Sequence, residues 1–385
     1  MPKRKTVVSA TSKATGRDVG TGKVLTLIKT HPPQLSLFQT FVPEDSDHYS
    51  NTIELYDAIP RYFSSKKLMA ELRQGGVFLK SLKRRFKHKD QWYELIIKPA
   101  RLVDKDGNEK EYYPTHQEEL VEEALKKIAC DRLKGVFLDD TAGVQFTLYE
   151  LDRELKSQGH AMKWPDLIRS LEICRSAGIE VIGPEGKAEV KSSIFPVVAL
   201  VNRDEWRKNP GQVRCYVQFN PLLTYSIKAL TYRQFDYRTF MRLKNHLARW
   251  LFKRLSHNYT QAAWDRPYTI RLSTIVRDSA LVNASRTSDK ARYIDAALDE
   301  LAKIPAVDTN AIRVLMKYEK EEIRGPKNKI EDVKYTLVPD FDFTAQMKRA
   351  NLRQQKITQA AVELQTLDVS DNEVKPPTIT RKSAY

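Results

Sequence analysis

The spacing between apolar residues changes in the same order at two places along this chain. Between about residues 145 and 200 the apolar positions alternate, then recur every three or four residues in two segments, then alternate again. Alternation is typical of a half-buried strand, and spacing of three to four is typical of an amphipathic helix. The pattern predicts a strand over Gln145–Leu148, a helix over Tyr149–Lys156 ended by Gly159, a helix over Trp164–Ala177 with Pro165 in its first turn, and two strands around Gly183-Pro184-Glu185-Gly186.

The same order returns between residues 268 and 341. Here the pattern predicts a short strand, a helix from Ser273, a helix over Thr287–Ala302, and two strands around a turn at Gly325-Pro326. The apolar positions of the copies align in register: Phe146, Leu148 and Leu151 with Ile270, Leu272 and Ile275, and Leu167, Leu171 and Cys174 with Ile294, Leu298 and Leu301. A repeated pattern indicates a repeated structural unit.

Strand, helix, turn, helix and β-hairpin form the order of a winged helix. The sequence therefore predicts an α+β fold with two tandem winged-helix domains, that is, helix-turn-helix motifs with a β-wing. Residues 1–33 carry seven Lys/Arg against one Asp, which is typical of a flexible basic tail. We expect this organisation: a flexible basic tail over residues 1–50, an N-terminal winged-helix domain over 51–220, a C-terminal one over 221–345, and a flexible C-terminal tail over 346–385.

Two more helices accompany the repeated units. A strand is expected over Gln91–Val103, followed by a hairpin turn at Asp106-Gly107 and a helix capped by Thr115. A long helix over Asp236–Asn258 is predicted from the apolar stripe Phe240, Leu243, Leu247, Trp250 and Leu251. Four cations share a separate face of that helix: Arg238, Arg242, Arg249 and Lys253. This face is either simply solvated or a phosphate-binding surface.

Charge indicates the class of partner. The 385-residue chain has 65 Lys+Arg against 49 Asp+Glu, a net charge of +16. Such a field attracts polyanions, so nucleic acid or an anionic membrane surface is the expected partner. No apolar run approaches the length of about 20 residues that a membrane span needs, and the start of the chain lacks the apolar segment of a secretion signal. The three separated cysteines are typical of a reducing cytoplasm.

Motifs for catalysis and for metal or cofactor binding were sought and not found. A phosphate-binding loop is incomplete at "GRDVGTGKV", where Arg17 replaces the first glycine and Val24 replaces the hydroxyl residue. The cysteines and histidines lack zinc spacing. His246 and Arg249 form an H-x-x-R pair, as in tyrosine recombinases, with Tyr259 downstream. That match is short and has no upstream arginine motif. We therefore expect a protein without enzymatic activity, cofactor or metal.

The second recognition helix carries the main prediction of DNA contact. Basic and hydroxyl residues occupy its beginning, where such a helix enters the major groove and pairs with bases or phosphates: Ser285, Arg286, Thr287, Ser288, Lys290 and Arg292. In the first domain the equivalent helix offers Lys163, Trp164 and Arg169, and the wing offers Lys187 and Lys191. Fewer cations there predict a weaker contact. The face formed by Arg238, Arg242, Arg249 and Lys253 is expected to hold phosphates beside the second recognition helix.

The chain resembles plasmid replication initiators of the TrfA type. The resemblance is carried by "FTLYELDREL", "LIRSLEICRSAGI", "FDYRTFMRLKNHLARWLFKRLSHN" and "SRTSDKARYIDAALDEL". It implies two winged-helix domains that bind repeated sequences (iterons) in double-stranded origin DNA in the bacterial cytoplasm, and no catalytic residues. Implied partners are the host initiator and replicative helicase, with the single-stranded DNA of the opened origin and an inactive homodimer as further possibilities.

A short peptide near the start of the chain resembles the binding motif for the bacterial sliding clamp. It consists of Gln34, Leu35, Ser36, Leu37 and Phe38, within "HPPQLSLFQTF". TrfA-type proteins carry such a peptide in their N-terminal region. On a flexible tail, Leu37 and Phe38 can enter an apolar pocket while Gln34 hydrogen-bonds at its edge. The alternative is a first strand of the fold, with Leu35 and Leu37 facing the core.

Three functions remain open from the sequence. The first is a replication initiator that loads host replication proteins, including the clamp. The second is a winged-helix transcriptional repressor without a replication role, and the third is a tyrosine recombinase that uses His246, Arg249 and Tyr259. The clamp-binding peptide favours the first over the second.

Overall fold

The computed structural model describes residues 48–63, 69, 71–74, 78–103, 106–130, 134–138, 140–201, 214–303, 305 and 310–371. The basic tail and the peptide Gln34–Phe38 lie outside these residues. The helices are α1 (Glu54–Ala58), α2 (His116–Ala129), α3 (Leu148–Ser157), α4 (Trp164–Ser176), α5 (Pro221–Lys228), α6 (Tyr237–Arg242), α7 (His246–Asn258), α8 (Leu272–Ser279), α9 (Thr287–Ala302) and α10 (Phe341–Asp371).

The strands form small antiparallel sheets. They are β1 (Tyr49–Ile53), β2 (Arg73–Gln74), β3 (Phe78–Leu79), β4 (Leu82–His88), β5 (Gln91–Lys98), β6 (Ala100–Val103), β7 (Glu109–Tyr112), β8 (Gly135–Leu138), β9 (Thr141–Phe146), β10 (Gly178–Ile182), β11 (Glu189–Ser192), β12 (Val198–Ala199), β13 (Cys215–Gln218), β14 (Tyr232–Asp236), β15 (Tyr268–Arg271), β16 (Leu315–Arg324) and β17 (Ile330–Pro339). The sheet orders are β1-β14, β11-β10-β5-β4, β12-β13-β9-β8, β15-β17-β16, β2-β3 and β6-β7.

The second unit, His246–Pro339, is a complete winged helix. Helix α7 precedes strand β15, helices α8 and α9 follow, and β16 and β17 form the wing. Strand β15 pairs with β17 in the same sheet, which anchors the wing to the helices. The apolar inner face of α9 is buried through Ile294, Ala297, Leu298 and Leu301. The predicted bounds of α9, Thr287–Ala302, agree with the structure.

The first unit, His116–Ser192, repeats this order with one departure. Helix α2 precedes β9, helices α3 and α4 follow, and β10 and β11 form the wing. Strand β9 pairs with β8 and β13, whereas the wing joins the hairpin β4–β5 through pairs between β10 and β5. The wing thus extends a sheet built from an earlier part of the chain. Capping boxes begin α2 at Thr115 and α3 at Thr147, as the sequence predicts for α2.

The aligned apolar positions of the two copies form the core. Of the twelve paired positions, eleven are at least 95% buried and Leu148 is partly buried against the core. This agreement, together with the matching element order, confirms the predicted α+β fold with two winged-helix units.

Three predicted boundaries are wrong. The helix expected over Asp236–Asn258 is two helices, because β14 extends to Asp236, and α7 starts afresh after Leu243–Asn245, capped by the side chain of Asn245. The tail expected from residue 346 is helical to Asp371 as part of α10. Its residues Met347 and Ala350 are buried because α10 packs on β14.

The third correction concerns the start of the N-terminal domain. Strand β1 begins at Tyr49, inside the expected tail, and pairs with β14, inside the expected C-terminal domain. Its Asn51 accepts a hydrogen bond of 2.7 Å from Arg353 on α10. The first and last described segments of the chain therefore lie together, and the first unit lies between them in the chain order.

Candidate nucleic-acid interface

The beginning of α9 is an exposed, positively charged helix end. Arg286 is the N-cap residue and its side chain makes no capping hydrogen bond. Ser285, Arg286 and Ser288 are exposed, and Thr287 and Lys290 are half-buried. Unpaired backbone N–H groups at a helix N-terminus favour anions, so this end can hold phosphate oxygens while Arg286 and Lys290 reach outward.

Arg292 lies one turn further along α9. Its guanidinium pairs with Asp289 at 3.0 Å, and its side chain is 80% exposed. A pair this exposed contributes little to stability and is screened by salt, so Arg292 can exchange the carboxylate for a phosphate. The predicted DNA-binding residues of α9 thus share its accessible beginning. Ser288 and Arg292 lie on the exposed side, whereas Thr287 and Lys290 are half-buried in line with the buried face.

The wing of the second unit adds cations that the sequence analysis did not assign to DNA. Arg324, Lys327 and Lys329 are exposed around the turn between β16 and β17. Lys327 and Asn328 have φ of 59° and 60°, which makes the turn tight. The signal in the sequence is "RGPKNK", where three cations surround the glycine and proline of a turn. Wing tips of this type lie beside the recognition helix, where they can contact the DNA backbone.

The first unit has a weaker version of the same surface. Lys163 is exposed as the N-cap of α4, and the next residue, Trp164, is 46% exposed. The other predicted contacts are exposed but have acidic partners: Arg169 with Asp166, Lys187 with Glu185, and Lys191 with Glu189. These pairs reduce the positive field of the first unit.

Two of the predicted phosphate-binding cations are in the core instead. Arg249 is 1% exposed, donates from Nε to Glu119 at 3.0 Å and from Nη1 to the carbonyl of Leu243 at 2.8 Å. Lys253 is 5% exposed and donates to Glu123 at 2.6 Å and to Asp57 at 3.1 Å. Charged groups are buried at this depth only when they are paired, and here the partners come from α1 and α2.

Arg238 and Arg242, the other two predicted phosphate-binding cations, do not lie beside the beginning of α9. Arg242 is exposed at the end of α6 and Arg238 is half-buried. The backbone N–H groups of Lys244 and Asn245 donate to Glu300 at 2.6 and 2.9 Å, which fixes this junction to the C-terminal end of α9. Thr287 and Glu300 are separated by about 20 Å of helix at 1.5 Å per residue. The expected phosphate clamp beside the start of α9 is therefore wrong.

Buried ion pairs among α1, α2 and α7 lower the pKa of Glu119 and Asp57, whereas burial raises the pKa of Glu123 despite its pairs with Lys126 and Lys253. Burial alone would raise the pKa of Glu119, but His246 and Arg249 outweigh it and hold that pKa well below its usual range. Burial also opposes ionisation of Asp57, yet Lys126, Lys253 and Arg61 lower its pKa. This network, which we call the interhelix ion cluster, joins α1, α2 and α7 through Asp57, Arg61, Glu119, Glu122, Glu123, Lys126, Arg249 and Lys253.

The residues suggested for a tyrosine recombinase do not form its active site. The Nε2 atom of His246 lies 3.1 Å from Glu119, which also binds Arg249. Tyr259 is at the opposite end of α7, is 7% exposed, and its hydroxyl lies 3.0 Å from the carbonyl oxygen of Ala263. Burial raises the pKa of Tyr259, which disfavours the nucleophilic phenolate.

The described residues contain neither a metal-binding cluster nor a membrane-spanning helix. Within those ranges, no group of three or more His, Cys, Asp or Glu side chains is placed to hold a metal ion. Among the helices described here, none combines the length and apolar character that crossing a membrane requires.

Comparisons with known proteins give structural similarities only. No family model and no curated protein matches the sequence. The chain is similar to a crystal structure of selenomethionine derivatives of domains 2 and 3 of RctB, with 9% sequence identity, a TM-score of 0.42, and coverage of 70% of this chain and 94% of that one. A second structure of RctB domains 2–3 gives 10% identity, a TM-score of 0.41, and coverage of 76% and 99%.

A structure of the Pi initiator protein in complex with iteron DNA is also similar. Its identity is 11%, its TM-score 0.32, and the match covers 59% of this chain and 91% of that one. Because all three TM-scores are low, the assignment of the fold rests on the element order, strand pairing and aligned core positions of this chain.

Proposed function

We propose that this protein is a bacterial replication initiator that binds directly repeated double-stranded DNA at an origin. The observation that carries the proposal is the beginning of α9, where Arg286 and Lys290 stand at an accessible helix N-terminus beside the cationic wing. The resemblance to TrfA-type initiators supports the same function. A chain with two winged helices in tandem can contact successive segments of one duplex, with the second unit as the stronger contact.

We further propose that the initiator recruits host replication proteins in the cytoplasm. The peptide Gln34–Phe38 is the proposed site for the sliding clamp. The host initiator, the replicative helicase and the single-stranded DNA of the opened origin are proposed partners without an assigned site. An inactive homodimer is proposed on the resemblance alone.

The experiment that tests DNA recognition compares two double variants. Duplexes selected by the wild-type protein from a random library serve as the probe. Arg286→Ala/Lys290→Ala should lose binding to the selected duplex by at least about thirtyfold, since two cationic contacts each contribute about 1–3 kcal/mol. The control Lys348→Ala/Lys356→Ala removes the same charge from exposed positions of α10 and should bind within about twofold.

A second readout separates an initiator from a repressor. A plasmid that lacks its own origin should replicate when it carries this gene with its neighbouring repeats, and should fail to replicate with Arg286→Ala/Lys290→Ala. Both variants should keep the wild-type melting temperature. Selective duplex binding without plasmid replication would instead identify a repressor.

A further inference from the structure

The hairpin β4–β5 is the most cationic segment that the proposed function leaves unused. Residues 80–98 contain seven Lys/Arg and two acidic residues. The segment precedes the first winged helix and joins its wing in one sheet. Such a charge excess on a short hairpin produces a local positive field that attracts polyanions.

Strand pairing divides these cations between two faces. Arg84 and Phe86 lie on the inner face, opposite Leu95 and Tyr93. Arg84 donates to the carbonyl of Tyr62 at 3.1 Å and is structural. Lys83, Arg85 and Lys87 lie on the outer face, opposite Ile96, Glu94 and Trp92. The outer face of β4 therefore presents a row of three cations at alternate positions.

An exposed tryptophan lies at the end of this row, between an arginine of the hairpin and an arginine of the second unit. Trp92 is 44% exposed. The guanidinium carbon of Arg85 lies 5.2 Å from its ring centroid, and that of Arg277 on α8 lies 5.3 Å from it. Cation–π contacts at these distances orient the guanidinium groups. With two guanidinium groups over the indole, a base has little free ring to stack on, so the arrangement favours binding of phosphate.

A buried carboxylate fixes the hairpin to the second unit. Asp278 is 2% exposed and accepts from the backbone N–H of Lys87 at 3.2 Å. It also binds Nε and Nη2 of Arg277 at 2.6 and 3.0 Å and Arg254 at 3.2 Å. Asp278 is the penultimate residue of α8, and the following turn leads directly to the start of α9. The hairpin is thus held on the helix that precedes the recognition helix.

The cations of this site can exchange their present partners for phosphate. Arg85 faces Glu94 at 3.5 Å, but both side chains are more than half exposed, so the pair is weak. Arg277 uses two nitrogens for Asp278, which leaves Nη1 for another acceptor. No ion pair of Lys83 occurs within the part of the chain that the structure describes.

We propose that Lys83, Arg85 and Arg277 around Trp92 form a second phosphate-binding site for the backbone of the duplex that α9 engages. The inference rests on the proposed function. Because residues of the hairpin and of the second unit build the site, it extends the DNA contact of the second unit onto the sheet that the hairpin shares with the first wing. It contacts no base edges, so it adds affinity equally for every sequence.

The test measures binding to a random-sequence duplex and to the selected duplex at several salt concentrations. Lys83→Gln/Arg85→Gln should weaken binding to both duplexes by about tenfold, and the slope of log K against log salt should become shallower by about 1 to 2. The matched control Lys348→Gln/Lys356→Gln removes two exposed cations from α10 and should leave affinity and slope unchanged. Trp92→Leu, which removes the support of both guanidinium groups, should weaken binding in the same direction.

The results of these binding experiments distinguish a failure of the hairpin site from a failure of the proposed function. If Arg286→Ala/Lys290→Ala abolishes selective binding while Lys83→Gln/Arg85→Gln leaves affinity and slope at wild-type values, the hairpin site is wrong and the proposed function stands. If the hairpin variant loses affinity for single-stranded oligo(dT) only, a stacking site replaces the phosphate site. If the wild-type protein binds neither duplex, both the proposed function and the hairpin site are wrong.

Discussion

Cations of one predicted helix have different roles, and burial decides between them. Arg242 and Arg249 belong to one predicted basic face, yet Arg242 is exposed and Arg249 is 1% exposed. The partner of Arg249 is Glu119, 130 residues earlier in the chain. Spacing along one helix predicts which side chains share a face, but it contains no information about an acidic partner brought by another element. The phosphate-clamp prediction failed for this reason.

Replacement of Arg249 should destabilise the fold and not act on DNA directly. Arg249→Met leaves Glu119 buried with one cationic partner fewer, which should lower the free energy of unfolding by roughly 3–5 kcal/mol. Arg242→Gln is the matched control and should change it by less than about 0.5 kcal/mol. Urea unfolding at neutral pH measures both. A weaker DNA affinity for Arg249→Met with unchanged stability would restore the original clamp interpretation.

Helices and strands were predictable to the extent that their own residues specify them. Thr115 with Glu118 starts α2, and the apolar spacing of α9 gives its observed bounds. The pairing of the first wing with β5 was not predictable, because strand partners are chosen by contacts between distant segments. The break between α6 and α7 was also missed, since it depends on Asn245 as a cap and on Glu300 from α9.

The two wings should differ in their contribution to DNA binding. Lys327→Gln/Lys329→Gln removes cations from the tip of the second wing and should make the salt slope shallower by about 1 to 2. In the first wing, Lys187→Gln/Lys191→Gln removes cations that already pair with Glu185 and Glu189, so a smaller change is expected. Titration of a fluorescent duplex at several salt concentrations measures both. Equal changes would contradict the assignment of the second unit as the stronger contact.

For the molecule as a whole, net charge predicts a class of partner, whereas the predicted domain boundaries did not give the architecture. The net charge of +16 predicts a polyanionic ligand without reference to any fold. The expected boundaries treated the chain as two successive domains between flexible tails. The structure instead pairs β1 with β14 and places α10 against β14, so segments far apart in the chain pack together. The order of the elements along the chain does not reveal that its first and last described segments pack on the same strand.

The proposed attachment to the sliding clamp concerns the whole molecule, because the proposed peptide and the proposed DNA surface lie in different parts of the chain. A purified bacterial clamp should retain the wild-type protein and not Leu37→Ala/Phe38→Ala, since the variant removes the apolar groups that enter the pocket. DNA binding by the variant should equal that of wild type. Equal retention of both proteins by the clamp would favour a strand of the fold for this peptide.

The meeting of β1 and α10 has a mechanical consequence. Arg349 and Arg353 on α10 hydrogen-bond to Tyr49 and Asn51 on β1 at 2.8 and 2.7 Å. A force applied between the two ends of the described chain is therefore borne first by these contacts and by the pairing of β1 with β14. The first winged helix, which lies between them in the chain, carries no tension until those contacts part. Under load, these contacts part before either winged helix carries the force.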